Sequence, residues 1–172
     1  MQFKKFDGTT IDNVSEYVKQ YFRDNPGFDY DLFVGCDSLP AVNKVTTFVV
    51  VVVIYKRGKG AHIIYSKVKD KTKLPIMSRL WKEVEISVEV AGELKAGGVL
   101  DYQFSDKHGT LQSLSLDIHL DLNSKVSEKS NKILDAATGY VKGMGFNVYS
   151  KPFAWCASYA ADYVCRGRAN SN

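Results

Sequence analysis

Residues 48 to 55 read FVVVVVIY, eight apolar positions in a row, most of them β-branched. A run this short and this branched predicts a strand buried on both faces, central in a sheet, within "KVTTFVVVVVIYK" at 44–56. "RGKG" at 57–60 is a turn, and "AHIIYSKVK" after it is the hairpin partner. Upstream, 31–36 reads as another strand, so three antiparallel strands follow one another. Before them, Val14, Tyr17, Val18, Tyr21 and Phe22 recur at helical spacing. Asp12 or Asn13 caps this helix over 12–23, and "DNPG" ends it.

The second half changes period twice. Ile76, Leu80, Val84, Val88 and Ala91 mark a helix over 76–96 that stops at Gly97 and Gly98. From 111 to 122 the period falls to two: Leu114, Leu116, Ile118, Leu120 and Leu122 alternate with Ser113, Ser115, Asp117, His119 and Asp121. A helix follows within 124–142, closed by Gly143; then come the short strand "GFNVYS" and a last helix from about Phe153 to about Cys165. The tail 167–172 reads as frayed. The strand–helix–strand unit predicts a right-handed parallel crossover. The fold class is therefore α/β: a mixed five-stranded sheet, three antiparallel strands and then a parallel βαβ, flanked by helices. No repeat or linker divides residues 1–172, which read as one domain.

Composition narrows the function classes. Hydrophobic residues make up 45% and charged residues 24%, the balance of a soluble globular chain. The longest apolar run falls well short of the roughly 20 residues of a membrane helix, and the start lacks a signal-peptide core. The expected location is cytoplasmic, with no membrane role. Cys36, Cys156 and Cys165 lack metal-ligand spacing and read as free thiols. A net charge of +4 permits nucleic acid as a partner without demanding it.

The acids fall in a suggestive order. Phosphodiester hydrolysis is commonly run by two divalent metals about 3.5–4 Å apart, held by carboxylates gathered from distant chain segments. Asp37 stands just past the end of the first strand. Glu85 and Glu89 lie on one edge of the long helix and, with Glu93, repeat like charges at i, i+4, which is mildly unfavourable unless a cation relieves it. Asp117, His119 and Asp121 share one strand face, but four strand residues span about 13 Å, too far for one small site. Asp121, nearer the strand's C-terminal end, is the one expected to reach it. Asp162 lies among the small residues of "ASYAADYV". Each has a plainer reading as well: Asp37 as a turn residue before Pro40, the glutamates and Asp162 as solvated positions, the strand acids as a wet face.

In this order the sequence resembles the ribonuclease H-like superfamily, and more narrowly a bacterial and phage family within it. The resemblance rests on "LFVGCDS", "RGKGAHIIY", "EVEISVEVAGEL", "IHLDLN", "GMGFNVYSKP" and "ASYAAD", spread over roughly 28–165. It implies a metal-dependent nuclease or related phosphoryl-transfer enzyme using Mg2+ or Mn2+ at a two-metal site. The acids it implies as catalytic and metal-binding are Asp37, Glu85 (with Glu89 as the alternative), Asp121 and Asp162. His119 and Lys151 lie in matching motifs as auxiliary residues. Two positions depart from the pattern: Leu39 follows "DS" and Phe153 follows "KP", where polar residues are expected.

Substrate phosphates are expected near Lys151, Arg57, Lys59, Arg166 or Arg168. A second reading is a ribonuclease H-like module that binds nucleic acid or protein without cleaving. A third, a nucleotide-binding ATPase of the actin type, fits poorly: Leu39-Pro40 stands where its phosphate loop wants glycines. Substrate type and oligomeric state stay open.

Overall fold

The computed structural model describes residues 1–42, 45–105, 108–123 and 131–166, without the side chains of 40–42, 104, 112, 123, 131, 132, 157 and 158. Two short strands, β1 (Phe3–Lys4) and β2 (Thr10–Ile11), precede helix α1 (Val14–Asp24). The antiparallel trio is β3 (Tyr30–Val42), β4 (Val45–Lys56) and β5 (Gly60–Asp70), followed by α2 (Ile76–Ala96). A small hairpin, β6 (Gln103–Ser105) and β7 (Leu111–Ser113), leads into β8 (Leu116–Asn123), α3 (Asn131–Gly143) and β9 (Asn147–Lys151). A π-helical segment, Cys156–Ala161, then runs directly into α4 (Asp162–Cys165).

The main sheet has seven strands in the order β2-β1-β5-β4-β3-β8-β9. β3, β4 and β5 pair antiparallel, while β3–β8 and β8–β9 pair parallel. The five strands expected from sequence form five adjacent positions of this sheet. The two additional ones are two-residue strands, too short to show a period, and the positive φ of Gly8 (88°) turns the chain between them.

β4 explains the architecture. Phe48 through Ile54 are all buried, so both sheet faces must be covered. On one face, Phe48, Val50, Val52 and Ile54 join a core with α1, α2 and α3; on the other, Val49, Val51 and Val53 meet Cys156, Ala160, Ala161 and Val164. Helix α1 starts where Asn13 Oδ1 accepts the Glu16 N–H at 3.0 Å, and it buries Val14, Val18 and Phe22. Helix α2 ends at Gly97, against which α1 is pressed: a Cβ there would lie 2.2 Å from Ser15 Oγ. Gly97→Ala is expected to push the two helices apart and destabilise the fold by about 1–3 kcal/mol, read as a lower urea midpoint with an unchanged slope.

Four expectations need correction. β3 runs well past residue 36 because β4 is long enough to carry the ladder on, so Asp37 lies inside the strand, opposite Val49. Pro40 is accommodated where the ladder's register shifts between Leu39 and Val42. The alternating stretch 111–122 is two strands, because its first residues pair with β6 and leave the main sheet. The last helix starts later than Phe153 and is π-helical over its first six residues. Of the helix expected within 124–142, residues 124–130 lie outside the described residues, as does the tail 167–172.

Candidate functional site

β3 delivers chemistry to both faces of the sheet. Leu32, Val34 and Cys36 join the core on the α2 side, while Phe33 joins the core beneath the π-helical segment. By the same alternation Ser38 faces α2 and Asp37 faces α4. The last β3–β8 pair is Cys36 with Leu120, so Asp37 stands where parallel pairing stops. Among the described residues, the strand continues past that point paired only with β4.

Asp37 Oδ1 accepts the Ser38 N–H at 2.7 Å. Burial pushes its carboxyl up to about 6; the Ser38 N–H opposes that rise, the charges of Asp121 and Asp162 add to it, and Arg79 opposes it. Those acids come from β8 and α4, so two chain segments far from β3 in sequence bring carboxylates within electrostatic reach of Asp37. Asp121 Oδ1 is paired with Lys151 Nζ at 2.8 Å, and Asp162 Oδ1 with Arg166 Nε at 2.7 Å. For Lys151, burial lowers its pKa, but its bond to Asp121 and the surrounding acids outweigh this and raise it.

The helix acid that lies within electrostatic reach of Asp37 and Asp121 is Glu83. Only 5% exposed, it accepts a 2.5 Å hydrogen bond from Ser38 Oγ. Burial pushes it up to about 8; the Ser38 hydroxyl and Arg79 pull it down, Asp37 and Asp121 push it further up. Arg79 Nη1 donates to Ser38 O at 3.1 Å. Glu85, expected here from sequence, is half-exposed and pairs with Lys82 Nζ at 3.4 Å; Glu89 is exposed. The reason is helical geometry. Glu83, three residues after Leu80 and four before Ser87, lies on the buried stripe, whereas Glu85 and Glu89 turn outward. The available signal was a carboxylate lying within an apolar stripe. Arg79 carried no such signal.

His119 is separate from the carboxylates. It is buried against Phe33 (ring centroids 4.7 Å apart), Tyr149 (5.7 Å) and Trp155 (5.9 Å). Burial lowers its pKa to about 4, and its Nδ1 accepts the Cys156 N–H at 3.2 Å. Asp117 is also drawn away, accepting from Asn147 Nδ2 at 2.9 Å. Burial raises the thiol of Cys36 well above the ordinary range, and all three cysteines are buried and free, so none is poised as a nucleophile. Of the basic residues, Arg57 grips Asp31 with two bonds, Lys59 is exposed, and Arg168 lies outside the described residues.

The donor chemistry suits a hard divalent cation, being all carboxylate oxygen. Among the described residues, however, no three such side chains converge on one point as they stand. The two ion pairs account for part of this: Lys151 and Arg166 hold Asp121 and Asp162.

No helix of the described residues is long and apolar enough to cross a membrane. Neither the curated proteins nor the solved structures include a match to the chain. Residues 13–166 match the family described as ribonuclease H-like, a span that holds α1 to α4 and the acids of the site, and the match supports a nuclease-like or nucleic-acid-binding module. The chain belongs to the ribonuclease H-like family.

Proposed function

We propose that the protein is a divalent-metal-dependent nuclease whose site is built from Asp37, Glu83, Asp121 and Asp162. One observation carries this reading: carboxyl groups from β3, α2, β8 and α4 gather where β3–β8 pairing stops, with Asp121 and Asp162 raising the proton affinity of Asp37, and Asp37 and Asp121 that of Glu83. A folded protein keeps mutually repelling, partly buried acids at a cost in stability, and such arrangements cluster at functional sites.

Mg2+ or Mn2+ held there supplies Lewis acidity toward a phosphodiester. The chain's own residues do the rest. Asp37 presents its free oxygen while the Ser38 N–H fixes the other. Glu83 gives up its proton as the cluster fills, and Ser38 Oγ holds its orientation. Lys151 and Arg166 leave Asp121 and Asp162 and turn to phosphate oxygens, which exchanges one anionic partner for another.

The test is cleavage of labelled single-stranded, duplex and hybrid nucleic acids in Mg2+ and in Mn2+. Activity is expected in the wild type and in Glu85→Gln, and loss in Glu83→Gln. Equal activity in Glu83→Gln would remove that residue from the site. The non-catalytic alternative draws on the two ion pairs that occupy Asp121 and Asp162; it is favoured if nucleic acid binds and no substrate is cut.

A further inference from the structure

Beside the carboxylate cluster, on the same sheet face, lies a groove of about 430 Å³ whose walls are mostly aromatic. Phe33 and Trp155 form its floor, with their ring centroids 5.2 Å apart and nearly perpendicular. Tyr149 and Phe153 stand at its rim, 44% and 73% exposed. Water-facing rings of this size are unfavourable unless something covers them.

Three polar groups line the same groove, His119, Asp117 and Asp31, and both oxygens of Asp31 are taken by Arg57. His119 is 3% exposed, and its Nδ1 accepts the Cys156 N–H, so the neutral ring carries its hydrogen on Nε2. Among the described residues nothing accepts that hydrogen. Asp117 uses Oδ1 for Asn147, leaving its other oxygen as an acceptor. The groove thus offers one donor and one acceptor between aromatic faces. Planar heteroaromatic rings carry matching groups on their edges, and base–aromatic stacking is tolerant of sequence.

Position decides what brings the ring. His119 lies two residues before Asp121 on β8, about 7 Å away along the strand, on the same face. A ligand whose anionic group reaches the carboxylate cluster can therefore set a ring in the groove. A cationic side chain fits less well: Arg57 already engages both oxygens of Asp31, the groove's other acid, and brings its own positive charge to the rim.

On the reading above that phosphates reach the Asp37 cluster, we propose that this groove seats one unpaired nucleobase of the bound strand, stacked on Phe153 and Tyr149 and hydrogen-bonded by His119 Nε2–H and Asp117. The substrate is then a strand with at least one unstacked base near the scissile phosphate, and not an intact duplex.

Trp155 reports on the groove directly. The chain has two tryptophans, so in a Trp81→Phe background the remaining indole lies in the groove floor. The probes are a short single-stranded oligonucleotide, the same strand with abasic positions, and the strand annealed to its complement, all in Ca2+ with the strands checked intact on a gel afterwards. The base-bearing single strand is expected to quench Trp155, and the abasic and annealed strands to quench little. Phe153→Ala or Tyr149→Ala, both exposed positions, is expected to weaken the quenching titration about tenfold. Equal quenching by the abasic strand, or unchanged titrations in both variants, overturns the proposal. So does quenching by a methyl-lysine peptide but not by the oligonucleotide. Asp37→Asn separates the two readings: its cleavage reports on the carboxylates, its Trp155 quenching on the groove.

Discussion

Asp37→Asn is expected to melt higher than the wild type and to lose metal-dependent cleavage. Both effects have one cause. The folded protein raises the Asp37 carboxyl from its ordinary 3.8 to about 6, mainly through burial. A carboxyl raised on folding binds its proton more tightly in the folded state, so stability falls as pH rises from about 4 to about 6. At pH 7 the ionised group is held at a cost of about 1–3 kcal/mol. Asparagine keeps an oxygen for the Ser38 N–H and removes the charge, which relieves Asp121 and Asp162 as well. A rise of a few degrees in Tm is expected, given about 2–4 °C per kcal/mol at this chain length. Cleavage is expected to fall about 10³-fold, equivalent to about 4 kcal/mol of barrier. Melting curves and initial rates on the same preparation check the pair. A variant that melts lower and cleaves normally would make Asp37 a structural residue.

Glu83→Gln carries the second large effect, and it is a pH effect. Glu83 is raised from 4.5 to about 8, again chiefly by burial. The sign is the same: the wild type loses stability as pH climbs from about 4.5 to about 8, because the unfolded chain ionises there freely and the folded one does not. Glutamine still accepts from Ser38 Oγ and does not titrate. The variant is therefore expected to match the wild type near pH 4.5 and to exceed it by on the order of 3 kcal/mol above pH 8. Urea midpoints measured across that range read the difference, and parallel curves for the two proteins would show that Glu83 is not held in the environment described. Gains in stability on removing both acids would be the signature of a site maintained for function.

The sequence made some of this legible and hid the rest for physical reasons. β4 was plain, because eight consecutive apolar residues admit few alternatives. Helix α2 was legible to the residue at both ends, since its period is sustained and glycines stop it. The order of acid-bearing elements was legible too, and Asp121 and Asp162 do lie within electrostatic reach of Asp37. The helix acid was not. Glu85 and Glu89 were favoured as a charged edge beside the stripe, whereas the buried carboxyl bonded to the Ser38 hydroxyl is Glu83 within it. The break before β8 was invisible because Leu114 keeps the alternation going across it and is buried all the same. The partner of Lys151, and the desertion of the acids by His119 for the aromatic groove, depend on contacts between distant segments that no local period encodes, whereas the Asp162–Arg166 pair is an i, i+4 contact that helical spacing does encode.

The central claim is that the four carboxyls form a divalent-cation site. It is tested most directly by titrating Mn2+ calorimetrically into the wild type at pH 7 in two buffers of different ionisation enthalpy. Because Glu83 is raised to about 8, it is mostly protonated at that pH and must ionise to act as a ligand. Binding with release of about one proton, lost in a folded Asp37→Asn, is the predicted result. No heat of binding and no rise in melting temperature with Mn2+, with a nucleic-acid strand present as well as without it, would contradict the account.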